Sequence, residues 1–243
     1  MHRHKEFRAH QIVHHFNFFL ACMWVKTVVS RAHYNGLIPR NPFAQFRITP
    51  NVKEREYLTE GEIRQLIEHE FSDATLAFTR DLFVFACFTA LSFADIRELT
   101  TDEIMDVNGE KWIISKRHKT GVPFQVKLLD IPLQIIGKYR PFQKDNSVFG
   151  EINYWNVCKK LKKVISECGI NKQISFHCAR HTFGTLALSK GMPIESVSRV
   201  LGHTNIKTTQ IYAKITTQKL GNDLTAFGNQ LNWTFGNIKV AGI

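Results

Sequence analysis

The sequence predicts a mainly α-helical chain with one small β-hairpin or sheet, an α+β arrangement in which the helices dominate. Three observations carry this. Apolar residues recur at three-to-four spacing over most of the length, strict alternation is confined to one stretch between residues 112 and 128, and helix starts and stops are marked by capping residues, Gly and Pro.

Residues from about 10 to 34 read as one amphipathic helix, because Val13, Phe16, Leu20, Met23/Trp24 and Val28 repeat at helical spacing. Asn35-Gly36 ends it, and Pro39 and Pro42 mark a turn region. From Phe43 to Arg55 the chain is basic, polar and without period, which makes a linker and places a domain boundary near 50–55. Thr59-Glu60-Gly61-Glu62 is a capping box and opens a helix to about Glu70. A second helix is expected from about Asp73 to Leu91, and a third from Ser92, as N-cap, to about Leu99. The period then changes. Trp112–Ser115 and Phe124–Leu128 are β-like, with Phe124, Val126 and Leu128 alternating with Gln125 and Lys127, and Thr120-Gly121 falls in the connection. Helices resume over about 131–140, 153–168, 175–190 (stopped by Gly191) and 193–201 (stopped by Gly202), with a last short helix over about 205–220. Beyond about 222 no clear period remains. Three segments follow from this pass: residues 1–52, 53–221, and a tail, 222–243.

A chain of 243 residues with 44% hydrophobic and 22% charged residues can bury a core, which excludes wholesale disorder. The 32 Lys and Arg outnumber the 21 Asp and Glu, and the net charge of +11 points to a polyanionic partner. The excess is concentrated: residues 1–52 hold seven basic residues and one acid, a net of +6, so this segment is expected to face phosphates. Five Cys without a CxxC pair indicate buried thiols in a reducing compartment rather than a disulfide framework. The longest apolar runs, Phe16–Val25 and Leu82–Ala94, fall short of the roughly 20 residues a membrane span needs. With no signal-peptide pattern at the start, the chain reads as soluble and cytoplasmic, without a membrane partner.

Three groups of residues could carry chemistry. In His177-Cys178-Ala179-Arg180 the imidazole and the guanidinium share one helix face. The guanidinium fork matches two phosphate oxygens and stays charged at any working pH. In Leu201-Gly202-His203 the Gly ends a helix and sets His203 at a loop tip, nine residues before Tyr212. A Tyr hydroxyl can be a covalent nucleophile, although its ordinary pKa near 10 means that it needs cations around it. In Arg117-His118-Lys119-Thr120-Gly121 a hairpin Lys could enter a groove and give a proton to a leaving oxygen. Read singly, each has a bland alternative: a surface or capping pair, a half-buried helix Tyr, a solvated turn.

Taken together, a hairpin Lys, H-x-x-R on a helix, L-G-H and then Tyr, with R-H-K-T-G and L-G-H-T-N as context, resemble the tyrosine recombinase (phage integrase) family, in particular the branch carried by conjugative and mobilisable elements. The resemblance covers about residues 8–220. It implies an integrase-type catalytic domain over 53–221, preceded by part of a helical core-binding domain over 1–52 that clamps DNA from the opposite side. Family members carry more residues ahead of this segment, so a partial form is implied. The resemblance also implies site-specific cutting and rejoining of double-stranded DNA through a 3′-phosphotyrosyl bond, without cofactor or metal, by four protomers on two duplexes, with the apolar tail available to dock on a neighbour. Tyr212 would be the nucleophile, Arg180 the second family Arg, Lys119 the hairpin Lys, and His177 and His203 the two imidazoles. His177 and His181 also form H-x-x-x-H, but the Glu of a zinc-protease motif is missing.

One position departs from the pattern. The family usually carries its first Arg in T-G-L-R, whereas here the stretch is Thr89-Ala90-Leu91-Ser92. Ser cannot neutralise a phosphate. Arg97, five residues later, and Arg80, twelve residues earlier, are the two candidates to compensate. The rival readings are a type IB topoisomerase with a similar site and a non-catalytic DNA-binding remnant of an integrase.

Overall fold

The computed structural model describes residues 21–45, 56–142, 145–212 and 217–235. The chain divides into two compact units, Met1–Glu54 and Arg55–Ile243. In the first unit, residues 21–34 form helix α1, which ends at Asn35-Gly36 with Gly36 at φ +73°. The expected start of this helix near residue 10, linker residues 46–55 and the tail beyond 235 lie outside the described residues.

The second unit runs α2 (Glu60–Glu68), α3 (Ala74–Thr89), α4 (Phe93–Arg97), β1 (Ile104–Val107), β2 (Glu110–Lys116), β3 (Pro123–Lys127), α5 (Asp130–Tyr139), α6 (Tyr154–Glu167), α7 (Cys178–Ser189), α8 (Ile194–Leu201), α9 (Lys207–Gln210) and α10 (Thr217–Phe235). The expected caps form. Thr59 Oγ1 accepts from the Glu62 N–H at 3.3 Å while Glu62 Oε2 accepts from the Thr59 N–H at 2.7 Å, a reciprocal pair that satisfies two of the orphan donors at the start of α2. Ser92 and Asp95 make the same reciprocal pair at α4, while at α3 the Asp73 carboxylate accepts from the Thr75 N–H at 2.8 Å without a return bond.

Helix α3 is the axis of the unit. Leu82, Phe83, Val84, Phe85 and Ala86 are consecutive and all buried. A helix apolar on every side has neighbours on every side, and α2, α5, α6 and α7 pack around α3. Phe176 and Phe149 meet Phe83 and Phe85 edge-on, with ring centroids 5.9 and 5.0 Å apart. Burial of each such ring contributes about 1.5–3 kcal/mol.

The sheet is antiparallel in the order β1-β2-β3, with Ile113 opposite Ile104 on one side and Val126 on the other. Ile113, Phe124 and Val126 point into the core. The sequence reading had two strands; β1 is the third. It shows no alternation because only Ile104 is partly buried and the next three residues are exposed. Asn108-Gly109, at φ +56° and +82°, makes the tight turn to β2, which is the strongest short-range hairpin signal.

The C-terminal end also differs. The helix expected over 205–220 is only one turn, α9, and α10 covers nineteen residues of which most were read as tail. Leu224, Phe227 and Leu231 do carry helical spacing there, and all three are exposed. Gly221, Gly228 and the polar residues between them weaken the signal. Among the described residues, no helix is long and apolar enough to cross a membrane.

Candidate active site

The C-terminal end of α8 is where the charged residues meet. Its last carbonyls have no intrahelical partner, and the helix dipole makes them negative. Two guanidiniums take them. Arg117 Nη2 donates to the Val200 carbonyl, and Arg180 Nη2 to the Leu201 carbonyl. Arg180 Nη1 donates to the Ala90 carbonyl. Arg117 Nη1 donates to Asp95 Oδ2 at 2.8 Å, and the guanidinium lies over the Phe124 ring, 4.0 Å from its centroid.

Gly202 is required here twice over. It closes α8 at φ +67°, and an added Cβ would lie 2.9 Å from Arg117 Nε. A side chain at 202 would therefore be strained and would displace the guanidinium. Ala90 has a related constraint. It ends α3 at φ +56°, a conformation that costs a non-Gly residue roughly 1–2 kcal/mol. Ala90→Gly is therefore expected to raise unfolding free energy by about 0.5–1 kcal/mol, read in a urea titration.

Asp95 organises the hairpin. Burial works against its carboxylate, but the N–H donors of Ser92 and His118 and the Arg117 guanidinium outweigh burial and hold its pKa below the ordinary value. Burial and the neighbouring Arg117 push Arg180 down to about 10, so it stays protonated at neutral pH. Burial also lowers the Arg117 pKa, against the pull of Asp95. Two guanidiniums thus share one carboxylate, which leaves a buried excess of positive charge.

Tyr212, only 8% exposed, lies against this cluster. Its ring is parallel to that of His203, with centroids 6.4 Å apart, and meets the His181 ring at 67° and 5.1 Å. His181 in turn meets His177 at 5.1 Å. His203 Nδ1 shares a hydrogen bond of 2.9 Å with Thr209 Oγ1. Burial first, then Arg180 and Arg117, lower the His203 pKa below 6.5. His203 is therefore neutral at pH 7. The unfolded chain binds more protons than the folded one just below pH 6.5, so stability rises with pH in that window and falls on acidification through it. Replacement of His203 by Gln is expected to flatten that part of a stability-against-pH curve, measured by denaturant midpoints between pH 5 and 7.5.

Four of the five residues singled out in the sequence converge: Tyr212, Arg180 and His203 directly, and His177 through His181. His177 itself is exposed at the start of α7. Lys119 stands exposed at the β2–β3 turn, which the Gly121 N–H closes by donating to the Arg117 carbonyl at 2.7 Å. Neither arginine considered for the Ser92 deficit reaches the cluster. Arg80 pairs with Asp81 at 2.5 Å and donates to the Leu66, Ile67 and His69 carbonyls at the end of α2. Arg97 pairs with Glu98 on the surface at 2.8 Å. Ser92 is committed to capping α4. Arg117 fills the place beside Arg180.

Residues 56–219 match the phage integrase family. The tyrosine recombinase XerA of Pyrococcus horikoshii is 32% identical over 136 residues, covering 51% of this chain and 47% of that protein. A tyrosine recombinase of Thermosipho africanus is 24% identical over 192 residues, covering 76% of this chain and 66% of that protein. The chain spans about half the length of the first curated relatives it matches. Among solved structures, the Tn1549 transposon integrase in complex with circular intermediate DNA has a TM-score of 0.66 at 17% identity, covering 82% of this chain and 75% of that one. A crystal structure of XerA recombinase has a TM-score of 0.58 at 22% identity, covering 77% and 69%.

Proposed function

The chain belongs to the phage integrase family, and from that membership we propose that it is a site-specific recombinase that cuts and rejoins double-stranded DNA through Tyr212. The observation that carries the reading is the placement of a buried Tyr beside two guanidiniums and a neutral imidazole. A phosphodiester brought to Tyr212 meets positive charge that its own carboxylate does not fully neutralise.

The step is a transesterification. The Tyr212 oxygen bonds to phosphorus, the bond from phosphorus to the 5′-oxygen breaks, and a 3′-phosphotyrosine and a 5′-hydroxyl result. His203, neutral at pH 7, can take the phenolic proton. Arg180 and Arg117 stabilise the charge that builds on the non-bridging oxygens, and His177 adds a donor from the start of α7. Lys119, on its exposed turn, protonates the leaving 5′-oxygen. Attack by a 5′-hydroxyl from a second duplex reverses the step, and the bond energy held in the phosphotyrosine makes the exchange near-neutral. With Arg117 beside Arg180, the Ser92 departure no longer favours a non-catalytic DNA-binding remnant.

Residues 1–52 act as part of a second DNA clamp, with Lys26 and Arg31 on α1 as phosphate contacts. Four copies assemble on two duplexes. In support, α10 exposes an apolar stripe, Leu224, Phe227 and Leu231. The unit also has an apolar groove of about 620 Å³ on the other side of α7, lined by Ile63, Ile67, Phe88, Phe183, Leu186 and Met192. A stripe and a groove on one unit suit exchange between copies.

The test uses a pool of nicked duplexes whose short 5′ piece diffuses away after cleavage. A protease-sensitive protein–DNA band on a denaturing gel is expected. DNA binding that weakens with salt but yields no such band would contradict the reading.

A further inference from the structure

The H-x-x-x-H spacing of His177 and His181 is not used by the mechanism above, and His181 is the more buried of the two. It is 7% exposed, and its ring lies between those of His177 and Tyr212, two residues of the site. We propose that His181 and Gly184 form the seat that fixes the ring of Tyr212, with His181 as a positioning residue for DNA cleavage. The proposal rests on the reading of Tyr212 as nucleophile.

The argument starts from helical spacing. His177, Arg180, His181 and Gly184 are separated by three and four residues, so they lie along one face of α7. Arg180 is held at one edge of this face by the carbonyls of Ala90 and Leu201. At Gly184 the face is bare backbone. An added Cβ would lie 2.9 Å from both Cγ and Cδ2 of Tyr212, so the phenol ring rests directly on the helix. Glycine inside a helix weakens it relative to Ala, and here it leaves the space in which the ring lies so close. His181, one turn earlier, closes the edge of that space. Its ring meets Tyr212 at 67°, an edge-to-face arrangement in which the positive rim of one ring faces the negative face of the other. The His203 ring runs parallel to that of Tyr212, with centroids 6.4 Å apart. The Tyr212 ring therefore has its plane set by His181 and its depth by Gly184. A phenol that can swing has its oxygen out of line with phosphorus for most of the time, and misplacement of about 1 Å costs on the order of 10²-fold.

His181→Leu keeps the volume apolar but loses the flat edge; His181→Phe keeps an aromatic edge. With nicked duplex at saturating concentration, His181→Leu is expected to form the covalent product at least 20-fold more slowly, while its DNA affinity stays within about twofold. His181→Phe is expected to recover most of the loss. A wild-type rate in His181→Leu would overturn the proposal. So would equal loss in Leu and Phe variants with recovery on adding imidazole, because that outcome assigns proton transfer rather than positioning. A second readout does not need cleavage. Nitration by tetranitromethane, mapped by peptide mass, is expected to spare Tyr212 in the wild type and to modify it at least fivefold faster in His181→Leu; unchanged nitration would overturn the seat. Loss of cleavage in the wild type itself would instead overturn the reading of Tyr212. If His181→Leu does not fold, Gly184→Val serves. Val is no worse a helix former than Gly, and its branched side chain occupies the seat, so the same slowed cleavage and faster nitration are expected, and wild-type values for both would overturn the proposal.

Discussion

Tyr212→Phe is expected to abolish the covalent protein–DNA product while leaving the fold and DNA affinity unchanged. The substitution removes one oxygen. The ring keeps its contacts with His181, His203 and the α7 backbone at Gly184, so the small cluster it shares with Ala90, Leu188, Val197 and Leu201 stays packed. The loss falls on chemistry. Removal of a nucleophile costs on the order of 10⁶ in turnover, which is below detection in a gel assay. Thermal unfolding and gel-shift affinity, compared with wild type, separate this result from a folding defect.

The second large effect is at Arg117. Arg117→Lys keeps a positive charge but loses the planar fork that reaches Asp95 and the Val200 carbonyl together. Cleavage is expected to fall on the order of 10²–10³, the range for loss of one preorganised donor to a transition-state oxyanion. Arg117→Ala is expected to do more harm to folding, because it leaves Asp95 buried without its cation, at a cost of about 3–5 kcal/mol. Ser92→Arg in the native background is not expected to help. It removes the capping box of α4, worth about 1 kcal/mol, and sets a third guanidinium next to a pair that already shares one carboxylate. Single-turnover cleavage by the three variants, with denaturant midpoints alongside, checks all of this. Wild-type cleavage by Arg117→Lys would remove Arg117 from the site.

The contrast between Arg117 and the two arginines weighed from the sequence shows where linear reading stops. Arg80 and Arg97 were considered because they flank Ser92 in the chain. Arg117 comes from a strand end 25 positions later, brought in by Asp95 and by the end of α8. A local signal was present. Ile113, Ser115 and Arg117 have the same parity along β2, and parity decides which face a strand residue takes; Ile113 and Arg117 are both buried. The L-G-H motif was legible as a helix stop, but its second purpose, room for a guanidinium, depends on a residue 85 positions away. The caps at Thr59 and Ser92 were readable because capping is a short-range hydrogen-bond pattern. Strand β1 had one local signal, the Asn108-Gly109 turn, but as an edge strand with one inward residue it has no alternation to show.

The central claim is that Tyr212 becomes bonded to DNA through a 3′-phosphate. The measurement that tests it most directly is mass spectrometry of the trapped product after nuclease and protease digestion. The account predicts one modified peptide, containing Tyr212 and carrying a nucleotide attached through its 3′-phosphate. A nucleotide on any other residue, or attachment through a 5′-phosphate, would contradict it.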